Sequence, residues 1–176
     1  MSLRAASLPT LLALAAALAA GGAWAKSSDR NQPMDLTSDA SDCSVGDEGG
    51  PCVFTGNVRI VQGSLDVRAA KADVRRGGGD IRRVLLSGSP VRLRQELDGG
   101  GSIDATAANV DYDLQTETVV FTGNVEITQP GRGTIGGGRI VYNMQNGRVQ
   151  GGGAEGGGQV RTRILPRGAR PGQDGN

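Results

Sequence analysis

Apolar and polar positions alternate with period two along this chain, in short runs separated by Gly and Asn. The runs are Val53-Phe54-Thr55-Gly56-Asn57-Val58-Arg59-Ile60-Val61-Gln62, Leu65-Asp66-Val67-Arg68-Ala69, Val91-Arg92-Leu93-Arg94-Gln95, Val119 to Ile127, and Ile140-Val141-Tyr142. Successive side chains of a strand point to opposite faces, so this pattern predicts many short antiparallel strands, each with one apolar face. Beyond residue 25 no window carries a convincing apolar stripe at helical spacing. The expected class is all-β.

Two repeated phrases order the strands. Phe-Thr-Gly-Asn stands at Phe54 to Asn57 and again at Phe121 to Asn124, each time followed by Val-x-Ile-x-Gln. A second phrase runs from Val67 to Val74, from Ala105 to Tyr112 and from Ile135 to Tyr142. An element written more than once stacks on its own copies, so two strand types should alternate in one continuous sheet folded over a shared apolar interior.

The first 25 residues are of another kind. Arg4, the apolar run Leu8 to Ala20 and the ending Ala23-Trp24-Ala25 describe a secretory signal peptide, with cleavage expected after Ala25. A permanent anchor is the competing reading, but the run falls short of the roughly 20 apolar residues that cross a bilayer. Residues 26–31 and the tail 167–176 lack large apolar groups and are expected to be loose, leaving one domain over 32–166.

Charge and composition remove several functions. Without Arg4 the 19 basic residues become 18, against 18 acidic ones, so the strongly basic surface of a nucleic-acid binder is missing. Histidine is absent, which takes away the usual base of a nucleophile and the commonest metal ligand; no metal or cofactor is called for. Asp111 and Asp113 share a strand face as a conceivable catalytic pair. Outward acids alternating with inward Val110, Tyr112 and Leu114 explain the same letters without chemistry. Gly77 to Gly79, Gly99 to Gly101, Gly136 to Gly138 and Gly151 to Gly158 are not phosphate loops, because no helix follows them. Cys43 and Cys52 flank a turn-rich segment in an exported chain, so a disulfide closing a hairpin is expected.

In this order the residues resemble the OstA-like family of periplasmic lipopolysaccharide transport proteins, over roughly Asn31 to Pro166. The resemblance is carried by Gln32-Pro33-Met34-Asp35-Leu36 with Ser38-Asp39, both Phe-Thr-Gly-Asn-Val segments, the second phrase, Gly88-Ser89-Pro90, and a closing strand from Val160 to Pro166. It implies an OstA-like β-jelly roll, open as a V-shaped or flattened groove with uncapped sheet edges, and no enzymatic activity. It further implies a periplasmic carrier of lipopolysaccharide that holds the acyl chains of lipid A inside the groove. The implied partners are an LptC-like inner-membrane component at the N-terminal edge, an LptD-like outer-membrane component at the C-terminal edge, and further copies joined head to tail.

The lining of such a groove should come from one face of each strand. Met34 and Leu36 fall on the first strand, followed by Phe54, Val58 and Ile60, then by Leu65 and Val67. Leu93 stands where the family often carries an aromatic. Val110 with Tyr112, then Phe121, Val125 and Ile127, and last Ile135, Ile140 and Tyr142 complete the set. Two Phe, two Tyr and one Trp leave few large groups to plug a core, which favours an open trough, although a filled sandwich would bury the same residues. Arg75, Arg76, Arg82 and Arg83 around Gly77 to Gly79 suit phosphate, or simply solvate a turn. A structural β-solenoid scaffold, a membrane-anchored LptC-like relative and a polysaccharide-active enzyme are the rival readings; the last would need clustered acids and aromatic platforms.

Overall fold

The structure is a computed structural model that describes residues 26–44, 50–152 and 158–166. The expected signal segment, with the cleavage expected after Ala25, and the tail 167–176 lie outside the described residues. Among the described residues a 3-10 turn, Ser27–Asn31, precedes ten strands: β1 Met34–Thr37, β2 Ala40–Cys43, β3 Cys52–Gln62, β4 Leu65–Gly77, β5 Asp80–Glu96, β6 Ser102–Asp113, β7 Thr118–Gln129, β8 Gly133–Asn143, β9 Arg148–Gly151 and β10 Arg161–Ile164. All form one antiparallel sheet in the order β1-β3-β4-β5-β6-β7-β8-β10. β2 pairs the other half of β3, and β9 the other half of β8. The sheet is open, since β1 and β10 do not pair with each other. Among the described residues no helix is long and apolar enough to cross a membrane.

The six central strands run longer than the alternating runs, because each passes through an irregularity that bends it without ending it. Pairing shifts between Thr55 and Val58, Arg68 and Lys71, Ser87 and Val91, Thr106 and Asn109, and Thr122 and Val125. These positions are neighbours across the sheet and form one line of bulges. The repeated Gly-Asn lies on that line. Gly56, Asn57, Gly123 and Asn124 all take positive φ, the left-handed region that Gly and Asn tolerate best. Ala70, Ala108 and Gly138, the fourth residue of each copy of the second phrase, are skipped by the pairing on the strands between. Val67 and Val74 are seven positions apart and would face opposite sides of a regular strand, yet both are buried. The skipped residue changes the parity.

Two rows of inward side chains follow, one on each side of the bulge line. Leu36, Ile60, Val67, Leu93, Ala105, Ile127 and Ile135 stand opposite one another across one leaf of the sheet. Phe54, Ala72, Leu86, Val110, Phe121 and Ile140 do so across the other. Both rows belong to one hydrophobic cluster, so the sheet is folded with its leaves face to face. Outward positions carry ion pairs, among them Arg59 with Asp66, Arg83 with Asp111 and Arg94 with Asp104. Asp111 is therefore an outward partner of Arg83, while Val110 behind it is buried.

Cys43 and Cys52 face each other across β2 and β3 and are joined by a disulfide, with Cα atoms 4.1 Å apart. Residues 26–31, expected to be loose, depart from that expectation. They form the 3-10 turn, and Asp29 is buried in contacts with residues 35 and 66 positions away.

Candidate functional site

A narrow slot of about 70 Å³ lies between the two leaves. One wall presents Ile60, Leu65, Val67, Leu93, Ala105 and Ile127; the other presents Val84, Leu86, Val110, Val119, Phe121 and Tyr142. Met34, Tyr112, Ile103 and Met144 complete the apolar lining. Inward alternation on β3 to β8 supplies all of these groups but Met34 on β1 and Met144 just past β8, and the bulge line turns the two leaves toward each other. The polar groups of the lining are few: Asp29, Gln62 and Gln95.

Of the expected lining, Met34, Ile60, Leu65, Val67, Leu93, Val110, Tyr112, Phe121, Ile127 and Tyr142 surround the slot. Val58, Val125 and Ile140 are buried in the solid part of the core, and Leu36, Phe54 and Ile135 pack against that core without lining the slot. Sequence reading missed Val84 and Leu86, because outward Leu85 between them breaks the alternation. It also missed Ile103, Val119 and Met144 near strand ends, Ala105, which is small, and Gln62, Gln95 and Asp29, whose polarity argues for the surface. Gln95 is only 5% exposed. Its place two after Leu93 in the alternating run puts it on the inward face, and only its polarity argues for the surface.

Electrostatics concentrate at one end. Burial pushes the Asp29 carboxyl up, but hydrogen bonds from Ser64 and Gln95 and the Lys26 charge outweigh it and hold Asp29 below the ordinary carboxylate value. Among the described residues no cluster of His, Cys, Asp and Glu is arranged to hold a metal ion. Of the four arginines near Gly77 to Gly79, Arg82 donates to the Gly77 carbonyl, Arg83 pairs with Asp111, and Arg75 lies 3.5 Å from Asp73.

Comparison with known proteins places this slot in a family. Residues 37–148 match the family described as LptA/(LptD N-terminal domain) LPS transport protein. The lipopolysaccharide export system protein LptA of Haemophilus influenzae is 34% identical over 85% of this chain and 86% of its own. LptA of Escherichia coli K12 is 31% identical over 82% and 77%. The crystal structure of LptH, the LptA-homologous periplasmic component of the lipopolysaccharide transport device of Pseudomonas aeruginosa, superimposes with a TM-score of 0.70 at 25% identity. That match covers 79% of this chain and 99% of LptH. With its folded sheet, apolar slot and sequence, the chain belongs to the LptA/LptD N-terminal domain family of lipopolysaccharide transport proteins.

Proposed function

We propose that the chain is a non-enzymatic periplasmic carrier that shields the acyl chains of lipid A between its leaves while the sugars stay in water. The observation that supports this most directly is the two-walled apolar slot. Each methylene exposed to water costs about 0.8 kcal/mol, so one chain of about a dozen carbons in a greasy channel avoids on the order of 10 kcal/mol. A slot of about 70 Å³ is far smaller than the roughly 300–1,000 Å³ of ordinary ligand sites, so loading has to part the leaves. The leaves are continuous only along the bulge line, and no ladder joins β1 to β10, so they can open like a hinge without breaking strand pairing.

The rims suit the bridging role. Beyond β1 and beyond β10 no further strand is paired among the described residues, and an unpaired edge accepts a strand from another sheet. β1 and β2 carry Asp35 and Asp42, whereas β10 carries Arg161 and Arg163. Opposite charge at opposite rims favours head-to-tail addition of copies, an LptC-like component at the first rim and an LptD-like one at the last.

Photoreactive residues at Met34, Leu93 and Phe121, with outward Arg59 and Glu126 as controls, test the lipid claim. Adducts recognised by antibody to lipopolysaccharide are expected at the first three positions. Equal labelling at inward and outward positions would sink the reading.

A further inference from the structure

We infer that residues 26–31 are a removable plug, which closes the mouth of the slot through Asp29 and must leave when an apolar chain enters. The inference rests on the carrier reading and adds a control to the same site. Asp29 belongs to the slot lining and is 5% exposed. Its carboxylate accepts hydrogen bonds from the Ser64 hydroxyl in the β3–β4 turn and, at 3.4 Å, from Gln95 Nε2 on β5. Ser64 Oγ in turn accepts from the Glu96 amide at 3.1 Å, so the three strand ends at the mouth meet at one carboxylate.

The turn that receives the plug is shaped for it. Gly63 sits at φ +57, and a Cβ there would lie 3.0 Å from the Asp29 Cα and closer still to its carboxylate. Any side chain at residue 63 would occupy the seat of Asp29. Two further contacts hold the segment: the Lys26 amide donates to the Glu96 carbonyl at 3.1 Å, and Lys26 Nζ pairs with Glu96 Oε2 at 2.9 Å. Past the turn, Gln62 Nε2 donates to the Gln32 carbonyl at 3.1 Å.

Every one of these attachments is polar. Among the described residues the hydrophobic cluster begins at Met34, so residues 26–31 contribute no member to it. Water replaces each of their hydrogen bonds. With the plug seated, an entering acyl chain would press methylenes against an ionised carboxylate and cut it off from solvent, which is strongly unfavourable. The seated and loaded states therefore exclude each other, and the affinity for an apolar ligand scales with the fraction of molecules whose plug is open.

The test combines exchange, mutation and cross-linking on the full chain, with Nile red and hexa-acylated lipid A as probes. In the wild-type protein, lipid A should speed hydrogen exchange at the Asp29 and Gln32 amides, which donate to the carbonyls of Lys26 and Asp29. Asp29→Ala should raise Nile red affinity by about tenfold, the factor expected from losing hydrogen bonds to a charged group. Carbodiimide coupling of Lys26 to Glu96 should lower it; the only other lysine of the chain is Lys71. If lipid A binds while both amides stay protected, the plug is wrong and the carrier reading stands. If Asp29→Ala admits Nile red but lipid A binds neither protein, the plug stands and the carrier reading fails. Unchanged Nile red affinity in a folded Asp29→Ala protein would overturn the plug as well.

Discussion

Gly123 and Ala108 approach each other across β7 and β6 so closely that a Cβ on the glycine would lie 2.7 Å from the alanine Cβ. Gly123 also sits at φ +79, where an L side chain is strained. Gly123→Ala should therefore destabilise the protein by about 2 kcal/mol or more, read from the midpoint of urea unfolding. Adding Ala108→Gly should recover the steric part and leave the backbone part. Full additivity of the two changes would show that this contact does not set the bend.

Asp113 and Asn143 do the same work at two turns, but only one of them titrates. Asp113 Oδ1 accepts from the amides of Gln115 and Thr116 at 2.9 Å each, and Asn143 Oδ1 accepts from Gln145 and Asn146 at 3.1 Å each. The Thr116 amide foremost holds the Asp113 pKa below its ordinary 3.8. A depressed folded-state pKa means that the stabilisation is complete above pH 3.8 and is lost as pH falls through the folded value. Acid should loosen the β6–β7 turn ahead of the β8–β9 turn, visible as earlier amide exchange at Gln115 and Thr116. Asp113→Asn should abolish that difference.

The disulfide ties β2 to the edge of β3 and closes a loop with a sequence separation of 9. Constraining a loop of that size stabilises by about 2–3 kcal/mol on the chain-entropy account. Cys43→Ser with Cys52→Ser should lower the unfolding free energy by that amount. An unchanged melting temperature would mean that the β2–β3 pairing holds the edge without it.

Charge reversal at the rims should act on association and not on folding. Arg161→Glu with Arg163→Glu is expected to suppress concentration-dependent self-association in sedimentation velocity. Asp35→Arg in the same chain should restore it, because the attraction is rebuilt with inverted sign. Self-association that ignores both changes would remove the electrostatic part of the rim argument.

Ile164, Val160 and Val149 are the exposed large hydrophobic residues of the described chain, and all lie at the C-terminal rim, Ile164 at 80%. Ile164→Asp should leave the melting temperature unchanged, since nothing packs over that side chain. It should weaken binding of whatever strand covers β10, measured by pull-down with a second copy of the chain.

Much of the site can be read one strand at a time. Ile60, Val67, Phe121 and Tyr142 announce themselves as inward because their neighbours alternate, and alternation is a local property of extended backbone. Val84 and Leu86 do not, since Leu85 is apolar too and faces outward between Asp73 and Asp111. Ser87-Gly88-Ser89-Pro90 reads as a break, yet it is a bulge inside β5. Whether an irregularity ends a strand or bends it depends on the neighbouring strands, which continue their hydrogen bonds on either side.

By itself the order of residues determined the all-β class, the repeated strand phrases, the apolar face of the alternating runs and the nearness of the two cysteines, because each is written in spacing along the chain. Only the tertiary structure decided that the bulges align into one line, that the two leaves close to a slot of about 70 Å³, and that Asp29 joins its lining, bonded to Ser64 and Gln95. Those outcomes depend on register between distant strands and on contacts spanning 35 and 66 residues, which no local pattern encodes.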